Sequence, residues 1–244
     1  MEENGQNGNG AAARPRGLNG NTLKYIAALA MLLDHVAMLF LPEASPWSVV
    51  LRTVGRLTCP VMCFLLAEGF CHTSSRKKYA LRLGLFALIA QPAYAFANEG
   101  NFSTLFTDWN MLFTLLLSFC MLWGLSDLRR SGMKILAACL CVVASVFCDW
   151  GVTAPLFVGC FWLLRGGRNK QALFYVALTA WYVLQSLLFS EGDLLALRGL
   201  GLLLFLPFLF LYNGERGSRR PFHKWFFYLF YPLHLLALGL LCWL

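Results

Sequence analysis

Two apolar segments near the start of the sequence carry ionisable side chains deep inside them. Asp34 and His35 lie in the first segment, and Arg52 and Arg56 lie in the second. A charge inside hydrocarbon costs several kcal/mol unless it is paired or lines a cavity. These four residues are therefore the first candidates for chemistry.

The four side chains together suit proton transfer beside a bound anion. His35 could act as a general base near neutral pH. Adjacent residues of a helix point about 100° apart, so we expect Asp34 to pair with Arg52 or Arg56 rather than with His35. Arginine donors form a fork that matches phosphates and carboxylates. The set fits transfer of an activated acyl group and equally a proton-coupled transporter, while an ion pair that merely joins two helices is the structural alternative.

Other polar residues near the ends of apolar segments have simpler explanations. Glu68 and His72 are one helical turn apart near one end of the second segment, where they could face lipid headgroups or a substrate. Asn110 and Asp149 open later segments, and helix capping alone could explain both.

The last apolar segment carries a stripe of aromatic residues and one histidine. Lys224, Tyr228 and Tyr231 could belong to an interfacial belt. His234 lies about ten residues into the segment, or about 15 Å at the helical rise, which places it near the midplane. A belt does not explain that position, so His234 is a second candidate base, or an acid on the side of the leaving thiolate.

The composition predicts an all-α, polytopic transmembrane helix bundle. Hydrophobic residues make up 59% of the 244 residues and charged ones 13%, well away from the balance of a soluble domain. We expect residues 1–20 to be a disordered cytoplasmic tail and residues 21–244 to be a single transmembrane domain. Nine spans are predicted, at 22–41, 49–72, 79–97, 110–125, 133–148, 152–165, 170–189, 194–212 and 222–244.

The placement of charge predicts the orientation. Most of the 20 Lys and Arg residues fall in alternate links between the predicted spans, which places those links and the amino terminus in the cytoplasm. This clustering argues against nucleic acid as the partner of a chain with net charge +8. The nine cysteines lie mostly in apolar spans without zinc-like spacing, so no metal is expected.

Several stretches resemble the TraX family, the pilin acetylases of conjugative plasmids and their chromosomal relatives. The matching stretches are LKYIAALAMLLDH at 23–35, RxxGRLxxPVxxFLLAEGFxHT at 52–73, KYALRLxLFALIAQP at 78–92, NxLFTL at 110–115, DWG at 149–151, YNGERG at 212–217 and KWFFYLFYPLHLL at 224–236. They follow in order along nearly the whole chain after the tail.

The resemblance implies an acetyltransferase in the bacterial cytoplasmic membrane, with acetyl-CoA as donor and an amine or hydroxyl acceptor. His35, Asp34 and His234 are the expected catalytic residues. The residues expected to bind CoA or substrate are Arg52, Arg56, Glu68, His72, Arg82, Asn110, Asn213, Lys224, Tyr228 and Tyr231. Of these, Arg82, Lys224 and Tyr228 are expected at the CoA phosphates on the cytoplasmic side.

The acceptor stays open at this point, since a pilin-like peptide, a glycan or a lipid would each fit. The Asp34–His35 cluster is expected in the outer half of the bilayer, so the pantetheine arm would have to thread through the bundle. A proton-coupled transporter or flippase for a small anionic or glycolipid substrate is the alternative, and a non-catalytic assembly factor for surface polymers is a third. Transporters usually carry two inverted repeats, and no internal repeat is found here.

Overall fold

The computed structural model describes residues 17–189 and 198–244. The helices are α1 (Gly20–Phe40), α2 (Pro46–Gly55), α3 (Thr58–His72), α4 (Arg76–Glu99), α5 (Met111–Asp127), α6 (Ser131–Ala144), α7 (Thr153–Leu163), α8 (Arg168–Phe189), α9 (Phe205–Leu211) and α10 (Pro221–Trp243), with 3-10 turns at Ser145–Phe147 and Leu200–Leu204. Apart from two isolated bridges, the described residues form no β-structure. The predicted all-α class is confirmed.

Five helical segments are long and apolar enough to cross a membrane, namely Gly20–Phe40, Pro46–His72, Arg76–Glu99, Arg168–Phe189 and Pro221–Trp243. Four apolar segments are shorter, at Met111–Asp127, Ser131–Phe147, Thr153–Leu163 and Leu200–Leu211. A crossing normally takes about 20 residues. The described helices therefore follow the predicted segments in order, while the number of nine crossings stays a prediction.

Helix α3 lies at the centre of the bundle and is buried along most of its length. It packs against α1, α5 and α7, and α10 lies between α1 and α4. Helix α6 has no buried residue, and its exposed side chains include Ile135, Leu136 and Leu140. An apolar helix with this exposure suits contact with lipid.

The predicted span at 49–72 corresponds to the candidate span Pro46–His72, and an interruption of the helix within it was not predicted. The helix breaks at Arg56 and Leu57, between α2 and α3. Pro60 has no backbone N–H, so the carbonyl of Arg56 loses its helical partner at that position. Irregular backbone at membrane depth is tolerated where it lines a cavity.

The predicted tail falls mostly on residues 1–16, which lie outside the described residues. From Gly17 onward the chain is tied to the link before α10. The Leu18 N–H donates to the carbonyl of Leu211 at 2.8 Å, and the Asn213 N–H donates to the carbonyl of Leu18 at 2.9 Å. These bonds bring the start of α1 to the start of α10 and so align the two helices.

Candidate active site

Helices α1, α4, α5 and α10 enclose a cavity of about 160 Å³, which the α2–α3 break and the turn at Asp149 complete. Five of the residues expected from the sequence to be catalytic or to bind ligand line it, namely Asp34, His35, Arg52, Arg56 and Tyr231. Of these, Tyr231 is buried. We call this space the histidine cavity.

One face of α1 forms a wall of the histidine cavity along much of the helix. Lys24, Ala28, Met31, His35 and Met38 all line it, and their spacing of three and four residues places them on one side of the helix. Lys24 and His35 are eleven residues apart on α1, which is about 16 Å at the helical rise. The cavity is therefore long and narrow, with a lysine towards one end and a histidine towards the other.

His35 and His234 face each other across the α1–α10 contact. Their ring centroids are 5.1 Å apart at an interplanar angle of 76°. Nδ1 of His35 lies 2.8 Å from the carbonyl oxygen of Met31, and Nδ1 of His234 lies 2.8 Å from that of Phe230. A carbonyl oxygen only accepts, so Nδ1 donates in both rings.

This tautomer leaves the lone pair of each Nε2 free when the rings are neutral. Nε2 of His234 is buried and has no hydrogen-bond partner among the described residues. The two histidines thus present basic nitrogens that the fold leaves uncommitted. The predicted position of His234, deep in the last helix, is where the structure places it.

Asp34 pairs with Arg52, one of the two arginines expected as its partner. The Nε of Arg52 lies 3.6 Å from Oδ1 of Asp34, and both side chains are mostly buried, with exposed fractions of 19% and 23%. Gly55 makes this approach possible, because a Cβ there would lie 2.3 Å from the Cβ of Asp34. The absence of a side chain at Gly55 lets α1 and α2 pack closely at the ion pair.

Arg56 occupies the break between α2 and α3 and turns towards an aromatic ring. Its guanidinium carbon lies 5.1 Å from the centroid of the Trp150 ring, within the range of a cation–π contact. Nε of Arg56 is buried and has no hydrogen-bond partner in the described chain. The guanidinium is therefore held by stacking, which leaves donors available to a ligand in the cavity.

Asp149 is a cavity residue that the sequence analysis assigned to helix capping, and this interpretation is wrong. The N-cap of α7 is Val152, without a side-chain cap, and Asp149 lines the histidine cavity. Its N–H donates to the carbonyl of Trp109 at 2.7 Å, and its carbonyl accepts from Oγ1 of Thr114 at 2.5 Å. These bonds fix the turn, and burial raises the pKa of the Asp149 carboxyl to about 7.

Several residues predicted as ligands do not reach the histidine cavity. Glu68 and His72 lie at the end of α3 and bind Arg165, whose Nε is 2.8 Å from Oε1 of Glu68 and whose Nη2 is 3.3 Å from Nε2 of His72. This cluster is partly exposed and does not line the cavity. It supports the headgroup-facing alternative for these two residues.

Asn110 and Asn213 have local structural partners. Asn110 is fully buried at the N-cap of α5, where its side chain accepts from the Leu112 N–H and donates to the carbonyl of Ala87. The side chain of Asn213 accepts from the Glu215 N–H at 2.9 Å. Capping and turn formation account for both residues, and neither lines the cavity.

Arg82, Lys224 and Tyr228 lie outside the cavity lining, at the end of the bundle where Lys24 also lies. Arg82 packs over Tyr79 with its guanidinium carbon 5.6 Å from the ring centroid, and its Nε is buried without a partner among the described residues. Tyr228 stacks on Phe86 at 4.6 Å.

Lys24 itself was not selected from the sequence as a ligand. Its neighbour in the chain, Tyr25, is held by a 2.8 Å hydrogen bond between its hydroxyl and Nδ1 of His223. The signal that could have found Lys24 is its position seven residues before Met31 and eleven before His35, which places the three side chains on one side of α1. Lys24 lies one turn into an apolar helix, and the sequence analysis counted it among the basic residues that mark the cytoplasmic side.

In the part of the chain that the structure describes, no group of three or more His, Cys, Asp or Glu residues is arranged so that it could hold a metal ion. Cys59 and Cys63 lie side by side in α3 with their sulfurs 3.9 Å apart, both buried in the core.

Comparison with known proteins identifies the family. The model of the TraX protein family matches residues 19–242. A probable fimbrial assembly protein FimC (serogroup H1) of Dichelobacter nodosus is 35% identical over 230 residues, which cover 90% of this chain and 93% of that protein. No solved structure matches the chain. On the family match and this similarity, the chain belongs to the TraX family.

Proposed function

We propose that this protein is a membrane acetyltransferase that moves an acetyl group from acetyl-CoA to an amine or hydroxyl acceptor. One observation carries the proposal. The histidine cavity runs along α1 from Lys24 to His35, so a lysine lies towards one end of it, and a histidine with an uncommitted Nε2, packed against His234, lies towards the other. An anionic carrier with a long, thin, reactive arm fits a space of that form.

The donor would enter from the end at which α1, α4 and α10 carry positive charge. Lys24, Arg82 and Lys224 lie within the first turns of these three helices, and Arg216 lies close enough to Lys24 to repel it. The diphosphate of CoA would bind among these cations, since Arg and Lys suit phosphate oxygens. Membrane loops rich in Lys and Arg face the cytoplasm, where CoA is found, so we place this end inside the cell.

The thioester would then lie beside the two histidines and the two arginines. His35 takes the proton from the attacking nitrogen or oxygen through its Nε2. Arg52 and Arg56 stabilise the negative charge that develops on the acetyl oxygen. Asp34, at 3.6 Å from Arg52, fixes that guanidinium and offsets part of the positive charge of the two arginines.

The acceptor that we propose is the amino terminus of a pilin or fimbrial subunit. The support comes from the TraX family match and from the relative named as a fimbrial assembly protein. An acceptor that is itself membrane-bound would reach a cavity inside the bundle more readily than a soluble one. A glycan or lipid hydroxyl would use the same base.

A proton-coupled transporter is the second candidate function, because the α2–α3 helix breaks at a cavity arginine. Broken helices at membrane depth are typical of transporter binding sites. A transporter would move its substrate across a bilayer with a proton gradient and would release no CoA.

The binding half of the proposal is tested by the thermal stability of the purified protein in detergent. CoA should raise the melting temperature at concentrations above its Kd, because a ligand that binds only the folded state stabilises it. ATP at the same concentration serves as the control for general phosphate binding, and Lys24→Ala should weaken the CoA effect. An equal shift with ATP and CoA, or none with either, would remove the support for CoA as donor.

A further inference from the structure

Two carboxylates share the histidine cavity, and their surroundings differ. Asp34 has Arg52 as a close counter-ion at 3.6 Å. Asp149 lines the same cavity, yet no ion pair holds it among the described residues. Two titratable groups in unlike settings are how one site divides acid and base roles.

The turn that presents Asp149 carries local backbone strain. Trp150 has φ 66°, in the left-handed region that bulky side chains rarely adopt, and Gly151 follows at φ 44°. Such residues persist where the surrounding structure over-determines them, and they cluster at active sites. Here the conformation places the Trp150 ring under Arg56. Asp149, the residue before Trp150, lines the cavity.

We propose that Asp149 is a catalytic proton donor, which protonates the sulfur of CoA as the thioester bond breaks. The inference rests on the proposed acetyl transfer, in which His35 is the general base, and it adds the general acid. The nitrogen or oxygen of the acceptor attacks the thioester carbon and gives its proton to Nε2 of His35. The carbon–sulfur bond then breaks, and the sulfur takes its proton from the Asp149 carboxyl.

The protons balance over each turnover. The products are the acetylated acceptor and CoA with a free thiol, and the site is left with an imidazolium at His35 and a carboxylate at Asp149. Passage of one proton from the imidazolium to the carboxylate, directly or through water, restores the starting state. No oxidant, reductant or further reactant enters.

The pH dependence follows from the surroundings of Asp149. Burial raises the pKa of its carboxyl to about 7, so a large share of it keeps a proton at neutral pH. A proton donor works only while protonated, so activity should fall as the pH rises through about 7. The charged or titratable groups that act on Asp149, or on which it acts, are Asp34 on α1, Arg56 at the helix break, Cys59 on α3, Tyr94 on α4, Asp108 before α5, Cys148 beside it and Tyr231 on α10.

The test compares two acetyl donors with different leaving groups. On this proposal the sulfur of acetyl-CoA takes a proton as it leaves, whereas 4-nitrothiophenolate leaves the corresponding aryl thioester readily as the anion. Asp149→Asn should lower turnover about 100-fold or more with acetyl-CoA and about tenfold or less with the aryl thioester. Asp127→Asn is the matched control, because its carboxylate accepts from Nε1 of Trp123 at 2.7 Å outside the cavity lining and does not act on Asp149, and it should affect both donors alike.

An equal loss with both donors on Asp149→Asn would overturn the inference while acetyl transfer itself stands. Absence of wild-type turnover of acetyl-CoA would instead overturn the proposed function. If Asp149→Asn does not fold, the pH profiles of the wild-type protein with the two donors test the inference instead. Its turnover of acetyl-CoA should fall above about pH 7 and that of the aryl thioester should not, and parallel profiles would contradict the assignment.

Discussion

His35 and His234 meet edge to face with ring centroids 5.1 Å apart, although they belong to the first and last helices of the described chain. Each Nδ1 donates to the backbone carbonyl four residues earlier, at 2.8 Å in both cases. The two backbone hydrogen bonds fix the tautomer of each ring, and the ring contact joins the two helices. The proposed chemistry uses Nε2 of His35, one of the two nitrogens that this arrangement leaves free.

The histidine pair predicts non-additive effects on turnover. His234→Gln should lower kcat about 100-fold, because residues that act in one step lose most of its benefit when either is removed. The double variant His35→Ala/His234→Gln should then be little worse than His35→Ala alone. Steady-state kinetics of the three variants measure this, and fully multiplicative losses would show that the rings act separately.

The Asp34–Arg52 pair predicts energetic coupling. Asp34→Asn and Arg52→Gln should each destabilise the protein, since each leaves a mostly buried partner without its counter-ion. Because the two residues are in contact, we expect the double variant to differ from the sum of the singles by about 0.5–3 kcal/mol. Unfolding of the four proteins in one detergent measures the coupling. Strict additivity would mean that the 3.6 Å approach contributes nothing.

Gly55 should be intolerant of even one added methyl group. A Cβ at this position would lie 2.3 Å from the Cβ of Asp34, so Gly55→Ala should destabilise by about 1–3 kcal/mol through overpacking and should also displace the ion pair. Gly132→Ala is the matched control, because a Cβ there meets nothing within 4 Å in α6. The control should be neutral or slightly stabilising. Similar melting temperatures for the two variants would contradict the close packing of α1 and α2.

Much of the architecture follows from the sequence, because apolar runs and basic links have strong signatures. The sequence also predicted that Asp34 pairs with Arg52 or Arg56, and the structure shows Arg52 as the partner. The position of His234 near the membrane midplane stays a prediction. The break at Arg56 was not predicted, although Gly55 and Pro60 flank it. Asp149 was missed because its role depends on a turn that packs against distant helices. The partner of Glu68 and His72, Arg165, could not be predicted from spacing because it lies far along the chain, and a ligand role for these two residues stays a prediction.

The cations at the start of α1 and α4 predict where CoA gains its affinity. Lys24→Ala and Arg82→Ala should raise KM for acetyl-CoA about tenfold each, which corresponds to the loss of one charge-assisted phosphate contact of about 1.4 kcal/mol. The same variants should leave KM unchanged for a short acetyl thioester without phosphates. Arg129→Ala, at an exposed position before α6, is the control. A rise in KM for both donors would place the two cations outside the phosphate site.

The central claim is that the histidine cavity transfers acetyl groups, and the most direct measurement follows label from acetyl-CoA. The purified protein is incubated with [¹⁴C]acetyl-CoA and a peptide that carries the amino terminus of a pilin subunit, and the label on the peptide is counted. The account predicts labelled peptide with the wild type and its loss with His35→Ala, whose helical content and melting temperature stay close to those of the wild type. Wild-type rates of labelling by a folded His35→Ala protein would contradict it.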